Sequence, residues 1–194
     1  MKANDYGKNG CEKTDYEIIK QCLDGKQEAF SEIVTRYRKL IYSIVYNILR
    51  DKQEVNDVAQ EVFIRLYKNL DKYNPEYKFS TWAVRITTNL CLDILRKKKA
   101  EVLPVEEIGT LNGDFDTPED RFLDKERNRI VMKAVDELPD KYRIPIILFH
   151  QKGLSYEEMC RVLNEPMSII KNRLYRARLM LREKLRSERQ EGIL

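Results

Sequence analysis

From Glu28 to Leu49 apolar side chains recur at three- and four-residue intervals, at Phe30, Ile33, Val34, Tyr37, Leu40, Ile41, Ile44, Val45 and Ile48. That period predicts one long helix with a continuous apolar stripe. A shorter helix, roughly 16–24 and stopped by Gly25, precedes it. After Asp51, which with Glu54 reads as a capping box, Val55, Val58, Ala59, Val62 and Leu66 form a second stripe. In a third helix, Phe79, Ala83, Ile86, Leu90 and Ile94 share one side, while Arg85, Thr88, Asn89 and Arg96 share the other. The period breaks over 100–116, where Pro104, Gly109, Asn112, Gly113 and several acids read as a linker.

Order resumes at Thr117-Pro118-Glu119-Asp120, a helix start with a capping hydroxyl and acids at the positive end of the dipole. Ile130, Val131, Ala134, Val135 and Leu138 supply its inner face. Pro139-Asp140 opens another helix, through Ile144, Ile146, Ile147 and Phe149 to Gly153, and Pro145 costs it a backbone donor. Ser155 and Glu158 form a capping box before Met159, Val162 and Leu163, and Asn164-Glu165-Pro166 is a turn. Beyond it Ile170, Leu174, Ala177 and Leu181 repeat with little drift. A short helix, a tight turn and a longer helix predict a helix-turn-helix.

The expected fold is therefore all-α, with two small helical domains joined by a flexible linker. The expected boundaries are a polar tail over 1–15, a first domain over 16–99, the linker over 100–116 and a helix-turn-helix domain over 117–194. Composition agrees: 35% charged against 42% hydrophobic residues, and only 7 glycines among the 194, imply small cores built from amphipathic helices. The net charge of +4 is modest, so basicity is judged by its clustering, at Arg96 to Lys99 and from Lys171 to Arg189.

Cys11, Cys22, Cys91 and Cys160 form no CxxC pair and His150 is the sole histidine, so neither a zinc site nor a disulfide framework is expected. No metal, cofactor or small-molecule substrate is anticipated. The start of the chain is polar and no apolar run reaches a membrane span, so a cytoplasmic protein without membrane insertion is expected.

Three surfaces carry candidate chemistry. Trp82, the only tryptophan, falls at the edge between the two faces of its helix, where an indole can stack on an unpaired base or cover the rim of the core. Tyr73 and Tyr77 lie in the turn just before it. On the second long helix Asp57, Gln60, Glu61 and Ile64, with Phe63 at the flank, make a mixed surface that suits either a protein partner or water. On the last helix Asn172, Tyr175 and Arg176 point away from the stripe, flanked by Lys171 and Arg173. Arg and Asn reach base edges in a major groove, and neighbouring cations such as Lys171 and Arg178 hold phosphates.

The stretches EAFSEIVTRYRKLIYSIVYNILRD, DVAQEVFIRLYKNL, KFSTWAVRITTNLCLDILRKKK, LPDKYR and GLSYEEMCRVL with IIKNRLYRARLMLRE together resemble the bacterial RNA polymerase sigma factors of the sigma-70 family, extracytoplasmic-function group. The resemblance implies a protein without an enzymatic site that directs core RNA polymerase to promoter DNA, and an anti-sigma factor as a further partner. It places Asp57, Gln60, Glu61 and Phe63, beside Ile64, on the polymerase-gripping helix. Tyr73, Tyr77, Phe79 and Trp82 fall in the segment that melts DNA and holds a flipped base. Arg85, Thr88, Asn89, Asp93 and Arg96, extended by Lys97, fall on the helix reading the downstream promoter element. Lys171, Asn172, Arg173 and Arg176, with Arg178, fall on the helix reading the upstream one. Asn164 replaces the family's usual glycine in the turn, Asn being the next best choice at a left-handed position. Cys160 stands where a small alanine is common. A conventional helix-turn-helix repressor or activator would account for the last domain but not for the Trp82 helix. A nucleic-acid enzyme would need a catalytic cluster that the sequence does not suggest.

Overall fold

In the computed structural model, residues 13–101 and 122–190 are described. Every regular element among them is helical: α1 Asp15–Leu23, α2 Phe30–Leu49, α3 Glu54–Lys68, α4 Phe79–Glu101, α5 Phe122–Asp136, α6 Asp140–Ile146, α7 Tyr156–Leu163 and α8 Met167–Gln190. Nearly all of the expected linker, the helix start at Thr117 to Asp120, and Cys11 lie outside the described residues. The chain divides into two compact units that part at Leu90 and Cys91, inside α4.

In the first unit α2 packs along α3 and against α1. Ile33, Tyr37, Ile41, Ile44, Val45 and Ile48 of α2 are buried, as are all five apolar positions of the α3 stripe. Removing each such isoleucine, leucine or valine from water contributes about 1.5–3 kcal/mol, which exceeds what helix propensity alone supplies.

The ends of α1 and α3 differ from the expectation. α1 begins at Asp15, inside the expected tail, because Thr14 and Glu17 form a capping box: the Glu17 amide donates to the Thr14 hydroxyl at 3.3 Å, and the Thr14 amide donates to the Glu17 carboxylate at 2.7 Å. The cap position of α3 falls to Gln53 and not to Asp51. Asp51 instead accepts from the Gln53 amide at 2.9 Å, a local Asx turn that competes with capping, and α3 starts at Glu54 without a side-chain cap. Arg50 before it takes a left-handed conformation (φ 60°), ending α2 where a glycine is usual.

The second unit is built around α8, against which α5, α6 and α7 pack. Ile130, Ala134, Val135 and Leu138 are buried as expected, but Val131 is exposed. Pro145 does sit within α6, where it leaves the helix one backbone donor short. The chain continues directly into a π-helical turn, 147–151, in which the Lys152 amide reaches back to the Ile147 carbonyl at 3.2 Å. The widened turn is closed by Gly153 at φ 67°. α7 starts with the expected Ser155–Glu158 box, at 2.8 and 3.1 Å, and ends at Asn164 in the left-handed region (φ 52°).

No helix among the described residues is long and apolar enough to cross a membrane. Cys22 and Cys91 are buried free thiols, and burial pushes the Cys91 thiol up to about 12.

Two stability predictions follow from these positions. Asn164→Ala, which adopts a left-handed conformation poorly, should lose about 1 kcal/mol in urea unfolding of the full chain, while Asn164→Gly stays within a few tenths. Equal losses would assign the role of Asn164 to its side-chain bonds instead. The folded state holds the Cys91 proton more tightly than the unfolded one, so this contribution is complete below the ordinary thiol value of 9.0 and declines as pH rises from there towards 12. The stability difference between wild type and Cys91→Ala should therefore shrink above that pH, and a constant difference across the range would show that burial does not shift the thiol.

Candidate nucleic-acid interface

In the first unit the open face begins in the turn before α4. Asn74 organises that turn, accepting from the Glu76 amide through its side chain at 2.9 Å and from the Tyr77 amide through its carbonyl at 3.2 Å. The Tyr73 hydroxyl donates to the Tyr77 carbonyl at 2.7 Å, which pins the turn to the aromatic rings beside it. Tyr73, Phe79 and Trp82 form a triangle with centroids 5.4–5.5 Å apart, and Tyr37 of α2 meets Phe79 edge-on at 5.0 Å. Phe79 is only 2% exposed, so it supports the other rings from the core rather than offering a face of its own. Trp82 is half-buried on top of it, and Tyr77 is 47% exposed.

Along α4, Trp82, Arg85, Asn89, Asp93 and Arg96 follow one another at helical spacing on one side, and all but Trp82 are exposed. Lys97 is exposed at its margin. Arg96 is paired with Asp93 at 2.7 Å. Thr88 departs from the expectation: it is fully buried, beside Thr87, whose hydroxyl donates to the Ala83 carbonyl at 2.8 Å. Thr87 thus satisfies its hydroxyl on its own helix, whereas the Thr88 hydroxyl oxygen is buried with no hydrogen-bond partner among the described residues, a cost that its methyl group's burial offsets. The buried stripe is accordingly Ala83, Val84, Thr87, Thr88, Leu90 and Cys91, with Ile86 and Ile94 only half-buried. On α3, Asp57 and Gln60 are exposed and Glu61 holds Arg65 at 2.7 Å. Phe63 is buried in the core, so the apolar part of that face is Ile64, at 47% exposure, together with Tyr67, whose ring meets Phe30 edge-to-face at 5.1 Å. Tyr67 escaped the sequence reading, although its spacing from Ile64 and Gln60 could have shown it.

In the second unit Ile170, Leu174 and Ala177 of α8 are buried, and Ser168, Asn172, Tyr175 and Arg176 point outward. Tyr175 is 63% exposed. Arg176 lies towards α6, and its hydrogen bond to the Tyr142 hydroxyl lowers that phenol below its ordinary value. Arg173 is turned back to Glu165 of the turn at 2.7 Å, off the outward face. The other flank carries a ladder: Lys171 over the Tyr156 ring at 5.9 Å, Tyr156 against Phe149 at 5.2 Å, and Arg178 over Phe149 at 5.4 Å. Contacts of this kind restrain both cations beside the helix. His150 lies edge-on to Phe149 at 4.9 Å, and burial together with Arg178 lowers its pKa. Among the described residues no group of three or more His, Cys, Asp and Glu could hold a metal ion.

Residues 33–101 match the family model of sigma-70 region 2, and residues 128–181 that of sigma-70 region 4. The ECF RNA polymerase sigma factor SigW of Bacillus subtilis is 40% identical over 177 residues, 87% of this chain and 95% of SigW. The chain belongs to the ECF sigma factors. The ECF RNA polymerase sigma-E factor of Escherichia coli K12 is 32% identical over 85% of this chain and 91% of its own length. The fold of this sigma factor is shared with CnrH, solved in complex with the cytosolic domain of CnrY (TM-score 0.64, 23% identity, 90% of this chain and 98% of that one). It is shared equally with RpoE of Bartonella quintana, solved in complex with the anti-sigma factor NepR (TM-score 0.64, 20% identity, 81% and 96%).

Proposed function

We propose that this sigma factor divides promoter recognition among three faces, with α3 on the polymerase, α4 on the downstream element and α8 on the upstream one. As a member of its family it directs core RNA polymerase to a specific set of promoters and helps open the DNA. The observation that carries the division is the unbroken run from the aromatic triangle at Trp82 to the polar face of Arg85, Asn89 and Arg96. A ring platform continuous with hydrogen-bonding side chains suits an unpaired base followed by its backbone. The α3 face of Asp57, Gln60, Glu61, Ile64 and Tyr67 combines charge with exposed apolar surface, as protein interfaces do. The chain acts in the cytoplasm, without enzymatic chemistry of its own and without a cofactor, and an anti-sigma factor covers the same faces when it is silent. The solved complex of RpoE with the anti-sigma factor NepR supports that last partner.

Run-off transcription with purified core polymerase on a promoter library tests the reading directly: RNA should start only when this chain is added. A repressor or activator that does not replace a sigma factor would start none.

Reversing the charges of Asp57 and Glu61 should weaken the polymerase complex by about 1–3 kcal/mol, since removing rim and interface charges chiefly costs complementarity. Unchanged affinity in a titration removes α3 from the interface.

On the upstream element, Asn172→Ala or Arg176→Ala should cost about 1–3 kcal/mol on the preferred duplex and blur preference at one or two positions. Neutralising Lys171 or Arg178 should weaken binding to all sequences alike and flatten the salt dependence by about one unit of slope. Both are measured with holoenzyme over a salt series, on matched and scrambled upstream elements. Equal losses on both duplexes for Arg176→Ala would mean that α8 does not read sequence there.

A further inference from the structure

The carboxylate of Asp15 lies outside the span of the region 2 family model, yet both of its oxygens are engaged by α2. One accepts from the Arg36 guanidinium at 2.6 Å, and the other accepts from the Tyr37 hydroxyl. Arg36 is itself held by the Lys13 carbonyl at 2.9 Å and by Glu32 at 3.1 Å, so the carboxylate sits in a fixed frame. The Thr14–Glu17 box fixes the first turn of α1 that presents it. Tyr37 is buried, and burial first, then the bond to Asp15, pushes its phenol well above the ordinary value. The ring therefore remains a neutral donor with one orientation. Its edge meets Phe79 at 5.0 Å, and Phe79 meets Trp82 and Tyr73 at 5.4 Å each. Tyr73 also feels the Asp15 charge, a smaller contribution than burial to its raised phenol value. A single carboxylate thus stands behind four rings linked through Phe79.

We propose that Asp15 is a positioning residue for promoter opening: by fixing the Tyr37 ring it sets the pose of Phe79 and so of Trp82, which makes α1 part of the strand-opening device. Aromatic rings at edge-to-face distance have preferred geometries, so rotating one changes the rest position of the next. Without its bond to Asp15, the Tyr37 hydroxyl must turn to find another partner inside a core, because an unpaired buried donor is costly. This inference rests on the reading that Trp82 stacks on an unpaired base.

Trp82 is the only tryptophan in the chain, so indole fluorescence of the full protein reports its pose without a label. Asp15→Ala and Tyr37→Phe should each shift Trp82 emission to the red and raise its quenching by acrylamide in the free, folded protein. The double variant should go no further than either single one, because both remove the same bond. Asp15→Asn, which keeps an acceptor for Tyr37, should restore much of the wild-type signal. Thr14→Ala, which weakens the α1 cap without touching Tyr37, should leave Trp82 as it is. With core polymerase at saturation, permanganate reactivity of promoter thymines should fall about five- to tenfold in Asp15→Ala, a fraction of what losing a stacking ring costs.

Unchanged Trp82 quenching in both single variants, or additive effects in the double one, overturns the proposal. So does a shift in Thr14→Ala equal to that in Asp15→Ala, since general docking of α1 would then explain both. If Trp82→Ala opens promoters at the wild-type level, the base-stacking reading fails, and with it the functional part of the proposal. The quenching series still decides by itself whether Asp15 sets the indole.

Discussion

Phe79 is where the core and the function of the first unit are one object. At 2% exposure it is packed as tightly as the isoleucines of α2, yet three other aromatic rings rest against it within 5.0–5.4 Å. A side chain that must stack on a base needs a rigid backing, because freezing a mobile ring on binding costs about 0.5–1.5 kcal/mol for each side chain immobilised. Close packing around Phe79 has already met that cost in folding. The half-buried state of Trp82 follows: one face of the indole is committed to Phe79 and Tyr73, and the rest stays available.

The second unit solves the same problem with cations instead of rings. Lysine and arginine side chains lose considerable rotamer freedom when they are fixed on a phosphate. The ladder of Phe149 and Tyr156 restrains Lys171 and Arg178 beforehand, by cation–π contacts on one flank of α8. Those two aromatics owe their place to the irregular backbone before α7. α6, which contains Pro145, runs directly into the π turn over 147–151, and Phe149 lies within that turn. A straight helix through the same sequence would put successive side chains at different angles, so the break is part of how the flank is built.

Much of this was legible in the sequence, because burial follows period. The five-residue stripe of α3 and the buried positions of α2 are what three-and-four spacing predicts, and the all-helical fold with its helix-turn-helix follows from them. Asn164 in the left-handed region was legible too, because few residue types tolerate that conformation. The departures occur where a side chain's surroundings are not set by the apolar period. Thr88 was placed outside because it is polar, but it is buried alongside Thr87 in the stripe of α4. Asp51, expected as the cap of α3, accepts from the amide two residues ahead, and Gln53 takes the cap position. Asp15 was assigned to a tail because its neighbours are polar, while its real partners are 21 and 22 residues away in sequence, beyond any local pattern. Phe63 was read as a flank of the exposed surface, yet its ring is taken into the core.

The charges on the three proposed interfaces come partly neutralised from within. Glu61 is held by Arg65, Arg96 by Asp93 and Arg173 by Glu165, each at 2.7 Å and each with both partners at least partly exposed. Exposed pairs of this kind contribute only about 0–1 kcal/mol, so exchanging the internal partner for one on polymerase or DNA costs little. Their effect on the free chain is larger than their stability suggests. With a net charge of +4 and its basic residues clustered, an unpaired version of this surface would bind any duplex through phosphate contacts alone. Pairing Arg96 and Arg173 internally lowers that nonspecific attraction, and a duplex that draws them away must offer base-edge or correctly spaced phosphate contacts in return. Specificity then rests on the difference between two modest interactions, which a promoter can tip and an arbitrary sequence cannot.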